Sequence, residues 1–494
     1  MQSSASQQRA NTVARLKESR LDLLIIGGGI VGSGIARDAA MRGLRVGLVE
    51  QHDFASGTSG RSSRLLHGGI RYLAQGRLRL VHQASVEKKI IHRIAPHLSD
   101  PLAFIFPAYR GDKYWSLWQL KIGVKIYDLL CGGRNLGKST WLNRDELLRT
   151  VPGLNPEDLN GGVRYFDGFT NDARLTLDTL RSAAHHGAIL LNYCRFGNAT
   201  RKDVWQCELA DAFGDTQFSV QTQAVINATG PWAQGVPHSR VKLRLTKGIH
   251  VVVDRSRIPV PDTLVMTEGK RIMFAIPWGE RTIIGTTDVD YDGPLDSVHA
   301  DPSEIRQLLD KANQFFPSAN LTEHDVISTW AGLRPLLADK HGNPSDISRA
   351  HEIRNPEPGW WDVAGGKLTT YRLMAEQTVD QVIAWAFRTS NKRVAPCRTA
   401  VEPLIPPSET DGISGIPPPK FERRAVEHYC ANEWTVHLED VMVRRTGWHY
   451  YFADASKRAE EVADWMAEIM GWSKAIRANE IGRYRVATGS SLHW

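Results

Sequence analysis

The sequence predicts an α/β fold built on a Rossmann-like dinucleotide-binding domain and closed by a helical C-terminal region. Three observations carry that prediction. LDLLIIGGGIVGSGIARDAAMRGLRVGLVE at 21–50 reads as strand, glycine turn, helix and second strand. Two later strands end in glycine turns of the same kind, AVINATGPWA at 224–233 and WDVAGGKLTTYRLMAE at 361–376. A proline-rich stretch, 396–421, then leads to DASKRAEEVADWMAEIMGW, where Ala459, Val462, Trp465 and Met466 recur at helical spacing.

In the first segment, the apolar run Leu21 to Ile26 is a buried strand, and Gly27, Gly29 and Gly32 match G-x-G-x-x-G. Gly27 allows the tight turn, Gly29 lets main chain approach a pyrophosphate, and Gly32 lets helix lie close on strand. The helix that follows offers unpaired N–H groups to phosphate. The second strand, Arg45 to Val49, ends at Glu50, whose carboxylate can accept from ribose hydroxyls. These parts in this order favour a dinucleotide over a ligand-free turn, without choosing between NAD and FAD. Thr229-Gly230 and Gly365-Gly366, at the two later strand ends, suit a long ligand lying across a sheet edge.

At 494 residues the chain suggests two or three domains, and 42% hydrophobic residues supply an ordinary soluble core. The formal charge of +7 is spread along the chain without a basic tail, which argues against nucleic acid and allows an acidic membrane surface or a small anion. Five scattered cysteines, with no C-x-x-C, fit a reducing cytosol and give no metal-ligand spacing. The first twenty residues are polar, without a signal-peptide h-region, and no run of eighteen apolar residues occurs. A soluble or peripheral cytoplasmic protein is expected.

Between the glycine motifs lies SGRSSRLLHGGIRYL at 59–73, where Arg61, Arg64, His67 and Arg71 crowd a Gly-Gly pair. This stretch, with INATGPW, KGIHVVV, IPWGERTIIGTTD, AGLRPL and GGKLTTYRLMAE, resembles the FAD-dependent glycerol-3-phosphate dehydrogenases, the respiratory type distinct from the NAD-linked one. The resemblance runs from about residue 20 to about 385 and more weakly beyond. It implies a fold of the D-amino-acid-oxidase group, with a β-rich substrate domain inserted into a discontinuous FAD domain. The expected division is 20–95, 160–230 and 345–385 for FAD, 96–159 and 231–344 for substrate, 396–421 as linker and 422–494 as helical domain.

The resemblance further implies FAD as cofactor, sn-glycerol 3-phosphate as substrate, a membrane quinone as acceptor, a peripheral contact on the inner face of the cell membrane, and a homodimer. It places Ser62, Ser63, His67, Gly68 and Gly69 along the flavin, together with Leu368 and Thr369. Arg71 and Tyr72 would hold phosphate, and Thr286 and Lys367 complete the substrate set.

The resemblance also places His250 beside the substrate, which makes it the candidate base. Strand alternation puts Gly248, His250 and Val252 on one face, and an ordinary imidazole pKa of about 6.5 suits proton acceptance. A core histidine, or a donor polarising the substrate oxygen, is the alternative. Arg334, biased to extended backbone by Pro335, offers a planar fork that suits phosphate or alkoxide, or a salt bridge to Asp339; the resemblance makes it a substrate residue. Asp172 is expected to cap the helix that it opens with Arg174, and Arg61 and Arg64 to be solvated. DVDYDG at 288–293 copies half an EF-hand loop, but position twelve would be His299 where a bidentate Glu is required, so it reads as an acidic turn.

For the membrane contact, KYWSLWQLKIGVKIYDLLCGG at 113–133 places Trp115, Trp118, Lys121 and Lys125 around apolar residues, a pattern shared by a buried helix of the substrate domain. The basic C-terminal region is a second candidate. Competing functions are an oxidase that reduces O2, a flavoenzyme for another anionic 2-hydroxy acid or amine, and a flavin-binding scaffold without turnover.

Overall fold

The computed structural model describes residues 2–70, 73, 76–132, 135–214, 216–338, 351–387 and 393–489. Arg20–Ile26 is the centre of an eight-stranded sheet. It pairs in parallel with Val46–Val49 on one side and with Thr216–Asn227 on the other. Trp360–Gly365 continues the parallel array beyond Thr216–Asn227, and Ile189–Leu191 continues it beyond Val46–Val49. Leu23 and Ile25 face Ile35, Ala36 and Ala39 of the helix Ile30–Met41 in one core cluster. Leu21, Leu24 and Ile26 face the other way, against Leu16 of the helix Gln2–Glu18. A strand covered on both faces needs the unbroken apolar run seen in its sequence.

A ten-stranded sheet forms the second domain. Its spine is the antiparallel pair Leu243–Asp254 and Val326–Leu337, with Arg281–Gly285 on the other side of Leu243–Asp254. Leu159–Phe169 pairs with Asp100–Tyr109 in this same sheet. Residues 160–169, expected with the FAD segments, are therefore strand residues of this sheet, and the helix Asp172–His185 follows them. Leu65–Leu66, expected within the FAD domain, also pairs with Leu159–Phe169. The glycine turns and the stretch 59–70 thus lie where the two sheets meet.

The C-terminal domain is helical. Ala459, Val462 and Met466 are its buried stripe, with Trp465 packed against it. The proline-rich stretch before it is less a free linker than a strap. Leu404, Ile405 and Ile416 are buried, and Arg37 of the first domain donates to the carbonyls of Glu402 at 2.7 Å and Pro403 at 3.2 Å.

Candidate active site

Three parallel strands end together. Ile26 is level with Asn227, and Asn227 with Asp362, so the turns at Gly27, Thr229-Gly230 and Gly365-Gly366 open onto one edge. The cleft there is lined by Gly27, Gly29, Glu50, Thr229, Gly230, Gly365, Gly366, Lys367 and Leu368. Gly32 is not in its wall. A Cβ on Gly32 would stand 2.0 Å from the Gly27 carbonyl oxygen, so this glycine sets how closely helix meets strand. Glu50 accepts from the N–H of Gly28 at 2.8 Å and of His52 at 2.9 Å, one bond per oxygen. Each oxygen keeps a lone pair for a ribose hydroxyl. Burial pushes its carboxyl pKa up, and the two N–H donors pull it back.

Ser59 was not anticipated. Its Oγ accepts from Ile30 N–H at 2.9 Å, directly over the N-terminus of the helix that the glycine turn opens. A hydroxyl over a helix N-terminus, a turn without Cβ atoms and a carboxylate at the second strand's end fit the pyrophosphate and ribose of a dinucleotide.

A second cleft continues from the first, sharing Ser59, Lys367 and Leu368 in its walls. It brings together Ser62, Ser63, His67, His250, Arg334, Lys367 and Thr369, drawn from four separate stretches of chain. Residues 62–67 dock on the turn after Trp360–Gly365, where Thr369 Oγ1 accepts from His67 N–H at 3.1 Å. Gly68 lies behind this wall. A Cβ there would meet the Tyr127 hydroxyl at 2.4 Å and Ser85 Oγ at 2.8 Å, so its smallness serves protein packing. Gly68 N–H donates to Tyr127, which donates in turn to Asp167, the partner of Lys88 at 2.6 Å. Gly69 takes φ +82° beside it and lies outside the cleft wall. Arg71 and Tyr72 lie outside the described residues.

His250 sits opposite Gly285 in the strand register, and its ring occupies the space a Cβ on Gly285 would need. It stacks on Trp330 at 5.0 Å and 18°, and Nε2 shares a 2.8 Å hydrogen bond with Ser63 Oγ. Burial is the main cause that lowers its pKa to about 3, with the Arg334 and Arg64 charges adding to it. The unperturbed value expected for this imidazole does not hold, and His250 is neutral throughout the physiological range. Arg334 lies over Gly248, where a Cβ would be 2.2 Å from Nη2. Nη2 donates to Thr286 Oγ1 at 3.0 Å and to the Thr287 carbonyl at 3.1 Å, and Nη1 pairs with Asp288 at 3.1 Å. Thr286 thus reaches the site through Arg334. The acidic turn supplies Asp288 to Arg334 and Asp290 to Arg244; Asp339 lies outside the described residues.

Two further expectations are corrected. Asp172 does not cap its helix, because Asn171 accepts from Arg174 N–H; Asp172 instead accepts from Ser62 N–H at 2.8 Å and fixes the cleft wall. Arg64 is buried, not solvated. It lies 4.2 Å from the Trp278 ring and 5.2 Å from that of Trp330, with Asp172 at 3.9 Å. Neither Ser59 nor Arg64 had a sequence signal beyond membership of the same 59–73 stretch.

Fold and cleft together define a dinucleotide-dependent oxidoreductase. The family model of FAD dependent oxidoreductases matches residues 22–381, and that of the C-terminal domain of alpha-glycerophosphate oxidase matches residues 411–477. The chain is 37% identical over 402 residues to the aerobic glycerol-3-phosphate dehydrogenase of Staphylococcus aureus (strain USA300), spanning 79% of this chain and 72% of that one. Among solved structures it is similar to the glycerol-3-phosphate dehydrogenase from Bacillus halodurans complexed with FAD, at TM-score 0.75 and 29% identity, covering 98% of this chain and 97% of that one. The L-alpha-glycerophosphate oxidase from Mycoplasma pneumoniae shares the fold at TM-score 0.61 and 17% identity, over 76% of this chain and 96% of that one. This chain belongs to the aerobic, FAD-dependent glycerol-3-phosphate dehydrogenase family. Its cofactor is FAD.

Proposed function

We propose that the protein oxidises sn-glycerol 3-phosphate to dihydroxyacetone phosphate and passes the electrons to a membrane quinone. The observation that carries this reading is the convergence of His250, Arg334 and Lys367 on one cleft continuous with the dinucleotide cleft. Bound FAD supplies the hydride acceptor. The chain's own residues do the rest: they bind an anion, orient a C–H bond and take a hydroxyl proton. Arg334 and Lys367 present cationic donors to phosphate or the developing alkoxide. Asp288 and Thr286 hold the Arg334 fork in one orientation, so little rotamer freedom is lost when substrate binds. His250, neutral and steadied by Trp330, accepts the hydroxyl proton at Nε2, the substrate hydroxyl taking the place of Ser63 Oγ on the Nε2 lone pair. A substrate dianion beside Arg334 offsets the positive field that depresses the imidazole, so its basicity rises on binding.

The membrane contact we assign to the helix Leu117–Leu130. Leu120, Val124 and Tyr127 bury one side. Trp118, Ile122, Ile126 and Leu129 are exposed along the other, Leu129 at 75%. Trp141, also exposed, adds a ring with Lys121 and Lys125 each 5.6 Å away. An apolar stripe edged by aromatics and lysines suits the interface of an anionic bilayer, here the inner face of the cell membrane. Trp115 is not in the stripe; it packs on Phe106 and donates to the Gly269 carbonyl. No described helix is long and apolar enough to cross a membrane.

Anaerobic mixing of the holoenzyme with sn-glycerol 3-phosphate is expected to bleach the flavin absorbance, while glycerol and lactate leave it unchanged. Flavin that stays oxidised would end the substrate assignment. The match of the C-terminal domain to that of an oxidase gives the O2-dependent reading a foothold. Stoichiometric peroxide in air would favour that reading over quinone.

A further inference from the structure

The C-terminal domain takes no part in the chemistry above, yet it meets the FAD domain through charges removed from water. Asp53 (1% exposed) lies against Arg444 (7%) and Arg445 (0%). Its Oδ1 accepts from Arg445 Nη2 at 3.0 Å and from Asn192 Nδ2 at 3.0 Å, and its Oδ2 accepts from Arg444 Nε and Arg445 Nη1. Asp440 extends the network, accepting from Arg444 Nη2 at 2.5 Å and from the Tyr193 hydroxyl at 2.6 Å. Beside it, Trp434 meets Phe54 edge to face at 5.3 Å, and Asn192 Nδ2 also donates to the Trp434 carbonyl at 2.8 Å.

Asp53 and Phe54 follow Glu50 by three and four residues, in the loop that walls the cofactor cleft. The other side of Phe54 lies on the glycine turn, where a Cβ on Gly28 would stand 2.4 Å from Phe54 Cδ1. Ala55 N–H donates to the Gly28 carbonyl at 3.1 Å, and Gly28 N–H donates to Glu50 at 2.8 Å. One face of this loop therefore carries the cofactor-binding groups, and the opposite face is gripped by the C-terminal domain. A buried ionic cluster is weak evidence for stability, because desolvation offsets its Coulomb gain; fixing a register is its better-attested use.

We propose that the C-terminal domain is a cofactor-retention element. Asp53, Arg444, Arg445 and Trp434 are positioning residues that hold the loop 50–55, and with it the glycine turn, in FAD-binding geometry. The proposal rests on the assignment of the first cleft to FAD.

The test uses full-length holoenzyme and follows the FAD dissociation rate by the fluorescence of released flavin, with the equilibrium constant from reloading. Arg444→Lys weakens the ionic grip, and Trp434→Leu leaves every ion pair in place while removing the contact to Phe54. Each is expected to weaken FAD binding about tenfold, as loss of a supporting partner does elsewhere. Trp434→Phe is expected to restore binding to within about twofold of wild type. Val462→Ala, inside the C-terminal core and away from the interface, is expected to lower Tm at least as much with FAD binding within about twofold. Unchanged FAD constants in Arg444→Lys and Trp434→Leu would overturn the proposal and leave the cofactor assignment intact. So would a Val462→Ala variant that loses FAD as readily as they do, since general destabilisation would then explain all three. Wild-type protein unable to take up FAD would instead remove the cofactor assignment, and the proposal with it.

Discussion

At the dinucleotide end of the cleft, glycine turns at three strand ends shape the wall, whereas the catalytic end is shaped by charged and titratable side chains. Gly27, Gly29, Gly230, Gly365 and Gly366 lie in the first wall, placed there by strand register. Ser63, His250, Arg334 and Lys367 form the second, projected from strands and turns far apart in sequence. The first end therefore fails through geometry and the second through charge and proton affinity. Substitutions at the two ends should separate cofactor loading from turnover.

The largest effect belongs to Gly32→Ala. With a Cβ 2.0 Å from the Gly27 carbonyl oxygen, helix and strand must part, and the donors of the helix N-terminus move from the phosphate position. Purified protein should carry almost no flavin, read directly as the ratio of flavin to protein absorbance. A yellow, fully loaded Gly32→Ala protein would break the distinction drawn here, because the main-chain wall would then tolerate what its geometry forbids.

His250→Ala should do the converse. The flavin stays bound and its oxidised spectrum is unchanged, while the anaerobic reduction rate falls by roughly a hundred- to ten-thousandfold, the range for losing a positioned proton acceptor. Loss of flavin from this variant would mean that the ring supports the cofactor wall, and the two ends would not be separable.

The same contrast explains what could be read from the chain alone. The glycine turn, helix and Glu50 lie within thirty contiguous residues, so the cofactor end is legible as a pattern with spacing. The fold class follows from it, as does the buried stripe at Ala459, Val462 and Met466. The catalytic end has no contiguous pattern. His250 and Arg334 were legible only through resemblance to a family, and their environment was not legible at all. Nothing in KGIHVVV says that Trp330 will lie under the ring or that Arg64, from another domain's segment, will come to rest behind it. The cap at Asn171 was missed by one residue because Asp172 is an equally good cap by type, and the Asp172 carboxylate is taken up instead by the N–H of Ser62. Residues 160–169, expected with the FAD segments, pair instead with Asp100–Tyr109, because pairing partners are set by the sheet that receives a strand.

The smallest effect is a titration that should not be seen. A ring in water near pKa 6.5 would pass half its population through the charged form in the range where most enzymes are assayed. His250 is instead enclosed, and burial disfavours the cation first, with Arg334 and Arg64 adding repulsion. Its pKa of about 3 lies below the value in an unfolded chain, so the sign is definite. The folded protein disfavours the charged ring, so protons are taken up on unfolding and not by the native imidazole. As pH falls below about 6.5 the native state therefore loses stability from this residue, progressively down to the folded pKa. The ring 15N shifts of His250, assigned by comparison with His250→Gln, should stay at neutral-imidazole values between about pH 5 and pH 8 in substrate-free holoenzyme. Adding a non-oxidisable phosphate analogue should move the transition upward, since an anion beside Arg334 offsets one of the two repelling charges. A titration midpoint near 6.5 in the free enzyme would mean that the ring is hydrated, and the catalytic end would then lack the dry, preorganised environment on which its contrast with the main-chain wall depends.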